Sequence, residues 1–186
     1  MTLNENQPGR GSDISAFNES SPTSYWIFQC SPKAFDIETA LRTGVLDDWT
    51  ISAHKGRIKT GDKVIIWVTG ENSGCYALAE IVYEPRIVDS SDDDSLWKVE
   101  NTNSLKAGIR ITHNLVERPI LKENIANIPA LSDLKVGNQG TNFTATETEF
   151  EVLRRIAENN PSARYWIYAP GENARLWDEF YDNGIM

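Results

Sequence analysis

Trp49, Ser52 and Lys55 follow one another at three-residue intervals in the segment WTISAHK. Together they could hold a planar heterocycle: an indole to stack on it, a hydroxyl to meet its edge, an ammonium to meet a phosphate. A base is held in this way when it is flipped or single-stranded, between aromatic faces with polar groups reading its edge. Trp49 stands among polar neighbours, an unusual place for a side chain that ordinarily fills a core. Trp67, on the apolar run that follows, is the candidate for the opposite wall, and Trp26 is a further candidate for the same pocket. Core packing is the alternative for Trp26, Trp67 and Trp97. Stacking contributes about 1–3 kcal/mol per base, while flipping a paired base costs a few kcal/mol. One tryptophan is therefore not enough, and a second wall with edge hydrogen bonds is required.

Other chemistry finds little support. His54 and His113 are the only histidines, and neither stands near a nucleophile or a ligand cluster. No glycine-rich phosphate loop and no GxGxxG after a strand occurs. Cys30 and Cys75 have neither zinc-ligand spacing nor a local nucleophile signature. Asp89 and Asp92 to Asp94 suggest a calcium loop, but Asp94 stands where such a loop needs glycine. The reading is a non-enzyme without cofactor or metal.

The chain carries a formal net charge of −9, which argues against indiscriminate binding of polyanions. Against that background the segment HKGRIKTGDK is a basic island, in which Lys55, Arg57, Lys59 and Lys63 face only Asp62. A solvated strand edge carrying lysines is the alternative. No apolar run is long enough to span a membrane. Two cysteines and an N-terminus without an apolar h-region lead us to expect a reducing, cytoplasmic setting.

These residues need a scaffold. Residues 1–23 are rich in Asn, Ser, Gly and Pro and are expected to be disordered. YWIFQC at 25–30 reads as a buried strand, and 36–43 as a short helix capped by Asp36 and stopped by Gly44. Residues 45–58 read as a loop around Trp49. KVIIWVT (63–69) and CYALAEIVYEP (75–85) read as a hairpin, its second strand ended by Pro85. LWKVEN (96–101) and GIRITHNLV (108–116) read as further strands. Thr146 and Glu149 form a capping box for a helix over 147–158, with Phe150, Leu153, Ile156 and Ala157 on one stripe. The class expected is α+β, built on a curved or closed, mostly antiparallel sheet.

Several separated motifs occur together: YWIF, a helix ending in glycine, then Trp49, Ser52, Lys55, Ile58, Gly61, Asp62 and Val64 in fixed spacing. IIWV, SGCYALAEIVYEP, LWKVE and GNQGTNF with its terminal helix follow in order. Over roughly residues 24–158 the chain resembles the EVE domain, of the PUA-like superfamily and related to the YTH readers. The resemblance implies a partly open β-barrel of about five or six strands, flanked by helices, with an aromatic cage on one face. It implies Trp49 as one wall, Trp67 or an aromatic near it as another, and Ser52 with its backbone reading the base edge. Asn138, Gln139, Gly140, Thr141 and Asn142 would close the pocket, and Lys55, Arg57 and Lys59 would hold flanking phosphates.

Ser24-Tyr25-Trp26-Ile27-Phe28 is echoed by Arg164-Tyr165-Trp166-Ile167-Tyr168. Residues 24–160 are accordingly read as one domain and 161–186 as the opening of a second related module or a packed tail. Such modules occur ahead of the motor subunits of modification-dependent restriction systems. The expected partner is nucleic acid bearing a modified base, DNA ahead of RNA, with a motor or nuclease subunit in a longer parent. An RNA-binding module and an interaction module with a vestigial pocket are the alternatives.

Overall fold

The computed structural model describes residues 22–89, 94–100 and 105–159. Most of the 1–23 extension and the tail module at 161–186 lie outside the described residues. Ten elements follow in chain order: β1 (Tyr25–Cys30), α1 (Ile37–Thr43), β2 (Asp48–Thr50), β3 (Lys63–Val68), β4 (Gly74–Ile87), β5 (Leu105–Asn114), β6 (Ile120–Leu121), α2 (Lys122–Ile125), β7 (Asn142–Ala145) and α3 (Glu147–Asn159). Six strands form one curled sheet in the order β2-β5-β4-β3-β1-β7, and β6 pairs with β4 off that path. All pairings are antiparallel except β1 with β3. The class is α+β, a half-barrel flanked by helices. It has more strands than expected, because β2 and β6 are too short to carry a period.

The sheet is buried on both faces, which is why YWIF and VIIWV read as continuous apolar runs. Alternation divides them. Trp26, Phe28, Val64, Ile66 and Val68 join α1 in one core. Ile27, Ile65 and Trp67 join Leu78 and the Phe150 and Leu153 face of α3 in the other. Both helix ends are local chemistry: Asp36 accepts from the Thr39 N–H at 3.4 Å, Gly44 adopts φ 75°, and Thr146 and Glu149 exchange bonds at 2.6 and 3.2 Å.

Three local expectations need correction. Residues 45–58 are not all loop, since Asp48–Thr50 pairs with β5, a partner that lies far along the chain. β4 does not end at Pro85 but runs to Ile87, and it tolerates the proline because the register with β5 shifts between Tyr83 and Arg86. The described part of LWKVEN, residues 96–100, is not a strand. Asp94–Leu96 is a 3₁₀ turn and Trp97 makes a single bridge to Phe35. Among the described residues no helix is long and apolar enough to cross a membrane.

Candidate nucleic-acid interface

A cleft of about 420 Å³ opens between β2, the C-terminal end of β1 and the loop that leads into β7. That volume is in the range of small-ligand sites. Trp49, Trp97, Phe35 and Leu46 give it an apolar lining, and Ser52, Thr69, Gly140 and Thr141 give it polar edges.

Trp49 reaches this place through β2. Pairing with Ala107 turns its side chain to the inner face, where the ring stacks on Phe28 with centroids 5.8 Å apart and planes at 27°. It is only 7% exposed, yet it borders the cleft. Phe28 thus fixes the tilt of a wall that Trp49 presents.

Trp97 borders the same cleft from the turn after β4. Its ring lies 4.9 Å from Phe35, and its segment is tied down by Asp36 N–H to Leu96 O at 3.0 Å and Lys98 N–H to Ala34 O at 2.8 Å. The indole Nε1 is buried without a hydrogen-bond partner among the described residues. Such an orphaned donor costs about 1–3 kcal/mol.

Of the sequence candidates, the fold gathers Trp49, Ser52, Gly140 and Thr141 at the cleft. Trp67 is not a wall. Strand parity turns it to the opposite face of the sheet, where it is fully buried and donates its Nε1–H to Ser73 Oγ at 3.0 Å. Trp26 does not reach the cleft either. It is buried, its Nε1–H donates to Asp62 Oδ2 at 2.8 Å, and its ring lies under His54 and the guanidinium of Arg57, each at 5.5 Å. Asn138 and Gln139 are exposed on the loop beside the cleft and do not line it.

That loop is held by a residue outside the sequence candidates. Gln29, 5% exposed on β1, donates to Asn138 O at 2.8 Å and Gly140 O at 3.0 Å and accepts from the Gly137 N–H at 2.7 Å. An amide in the middle of YWIFQC is a legible signal, because a buried polar side chain needs partners. Trp97 carries the same signal as Trp49, an indole among polar neighbours. Gly140, at φ 128°, holds a backbone conformation that other residues rarely adopt.

Lys55, Arg57 and Lys59 are exposed on the loop between β2 and β3 and do not line the cleft. Asp62 ties this loop down, accepting from the backbone N–H of Ser24 and of Lys59, each at 2.9 Å. Lys59 pairs with Glu84 at 3.1 Å, so Lys55 and Arg57 carry most of the positive field.

Burial pushes the thiols of Cys30 and Cys75 up to about 12, well away from the range in which a thiolate serves as nucleophile or ligand. Among the described residues, no group of three or more His, Cys, Asp or Glu is placed to hold a metal ion.

The sequence model of the EVE-domain family matches residues 24–159. The fold is similar to that of a hypothetical protein from Leishmania major (TM-score 0.56, 15% identity, covering 75% of this chain and 97% of that one). It is also similar to human THYN1 protein solved in complex with 5-methylcytosine-containing DNA (TM-score 0.51, 14% identity, 75% and 100%). A third likeness is the YTH domain of Zygosaccharomyces rouxii MRB1 protein, solved with N6-methyladenosine RNA (TM-score 0.51, 14% identity, 80% and 92%). At such identities the likeness is one of fold. No curated protein matches the sequence.

Proposed function

The chain belongs to the EVE-domain family, and from that premise we propose that it is a non-catalytic reader of one modified base of DNA. The base, methylated or hydroxymethylated, enters the cleft bordered by Trp49 and Trp97. The observation that carries this reading is the position of Trp49: backed by Phe28, it borders a cleft of about 420 Å³ that Trp97, Phe35 and Leu46 also line and that Ser52, Thr69 and Thr141 edge with polar groups. Two flat walls supply stacking of about 1–3 kcal/mol each, enough with edge hydrogen bonds to offset the cost of flipping. The similarly folded THYN1 and MRB1 proteins were solved with nucleic acids carrying a methylated base, which supports the same class of ligand here.

In this reading Lys55 and Arg57, with Lys59 in a lesser part, meet flanking phosphates. A modest single-site affinity suits a module used in repeated copies, and the echo of YWI at residues 165–167 fits that use. We place the chain in a cytoplasmic modification-dependent restriction or defence system, where a motor or nuclease subunit acts on what the reader finds. An RNA ligand is the second reading, favoured by the methylated RNA on the MRB1 fold.

Competition among matched DNA and RNA oligonucleotides carrying 5-methylcytosine, 5-hydroxymethylcytosine, N6-methyladenine or no modification tests both. Selective capture of a modified DNA is the expected result. Preference for RNA overturns the first reading, and equal binding of modified and plain strands overturns both.

A further inference from the structure

His54 stands where the rim of the cleft passes into the basic loop. Two residues before it Ser52 lines the cleft, and the Ala53 N–H donates to Asn142 Oδ1 at 3.4 Å. Lys55 and Arg57 follow it. Two residues of chain span at most about 7 Å, so His54 is close enough to meet a nucleotide adjoining one bound in the cleft.

The backbone at this position is unusual. Among the described residues His54 is the only one other than glycine with a positive φ, 60°. Histidine visits this region more readily than most side chains, but glycine alone enters it freely. His54 O closes the turn, accepting from the Arg57 N–H at 2.8 Å and the Ile58 N–H at 3.3 Å. The far end of the turn is anchored by the fully buried Ile58 and by Asp62, which accepts from the Lys59 N–H at 2.9 Å. In this conformation the imidazole rests on the indole of Trp26, with centroids 5.5 Å apart and planes at 35°. Trp26 is buried and bonded to Asp62 through its Nε1–H, which makes it a fixed backing. His54 itself is exposed. A flat ring is thus braced from beneath and open to solvent.

We infer that His54 is a second stacking platform, which takes the base adjoining the one held in the cleft. The inference rests on the reader assignment and adds to it a subsite for a flanking nucleotide. Every base has a π-face, so the contact is tolerant of sequence. The phosphate of that nucleotide then meets Lys55 or Arg57, which share the turn. A mere cover for Trp26 would leave binding indifferent to the flanking base, and this separates the two roles.

The test uses single-stranded trinucleotides with 5-methylcytosine or N6-methyladenine at the centre, each made also with both flanking nucleotides abasic. The abasic strands keep their phosphates. Wild-type protein is compared with His54→Asn and His54→Gly, both suited to the left-handed backbone. Loss of the flanking bases should weaken wild-type binding about fivefold, the lower end of base stacking, and that of either variant by less than about twofold. Wild type and variants should bind the abasic strands alike. A wild type that ignores the missing bases overturns the inference whether or not a variant folds, and so does a folded variant that keeps the full loss. Equal binding of methylated and plain central bases overturns the reader assignment, while the flank comparison still reads His54 by itself. Absence of binding to every strand overturns both.

Discussion

The backbone N–H of Ser52 donates to Asn142 Oδ1 at 2.8 Å, and through this contact the two outer strands of the sheet are joined by a side chain. β2 and β7 are the ends of the strand order. No ladder between them is needed, because the buried amide of Asn142 also accepts from Ala53 N–H at 3.4 Å and reaches Thr50 O at 3.5 Å. The cleft lies at this seam.

Asn142→Leu should open the seam. It leaves the Ser52 and Ala53 N–H groups without their acceptor, at about 1–3 kcal/mol for each group that stays buried. Urea unfolding should show a lower midpoint, and hydrogen exchange should quicken at residues 50–53 ahead of α3. Unchanged exchange at those amides would show that the amide does not hold the edges together.

Trp49 has two roles that substitution can separate. Trp49→Ala removes a side chain only 7% exposed and should cost about 3–5 kcal/mol of stability. Trp49→Leu keeps an apolar plug and should cost less, while still losing the about 1–3 kcal/mol of base stacking. Fluorescence anisotropy with a labelled modified oligonucleotide, beside thermal melts, distinguishes lost binding from lost fold. A folded Leu variant that binds like wild type would remove Trp49 from the site.

Salt dependence reports the phosphate contacts. On a single strand each contact contributes about 0.7 to the slope of log K against log salt. Lys55→Ala and Arg57→Ala should each flatten the slope by about that amount. Lys59→Ala should change it less, because Glu84 already sits 3.1 Å from the ammonium. Equal effects at all three positions would contradict this ranking.

Acid should weaken the sheet through Glu80. A hydrogen bond from Lys63 at 2.9 Å, aided by Arg110 at 2.9 Å, holds its carboxyl below the usual carboxylate range. A depressed folded value means that the contribution is fully present above the ordinary carboxylate pKa and is lost as pH falls through the folded one. Denaturation midpoints should therefore drop on acidification below about pH 4, and Glu80→Gln should make that limb shallower. An identical limb in the variant would assign the loss to other carboxylates.

Much of the scaffold was legible because its causes are local. Asp36 and Gly44 bracket α1, Thr146 and Glu149 open α3, and the apolar run at 63–69 is a strand. Pro85 misled because a register shift between β4 and β5 absorbs it, and LWKVEN because Trp97 makes an isolated bridge to Phe35 rather than a ladder. Of the motif residues, Trp49, Ser52, Gly140 and Thr141 come together along one cleft, while Asn138 and Gln139 stay outside it.

The sequence by itself determined the kinds of element, their caps and the presence of tryptophans in polar company. Only the tertiary structure decided which indole borders the void. Trp49 and Trp67 both lie on strands, and their directions are set by pairing with residues distant in the chain, Trp49 with Ala107 and Trp67 with Gln29. A strand changes face at every residue, so one step of register exchanges core for cleft. That register is fixed by packing across the whole sheet, and no local pattern carries it.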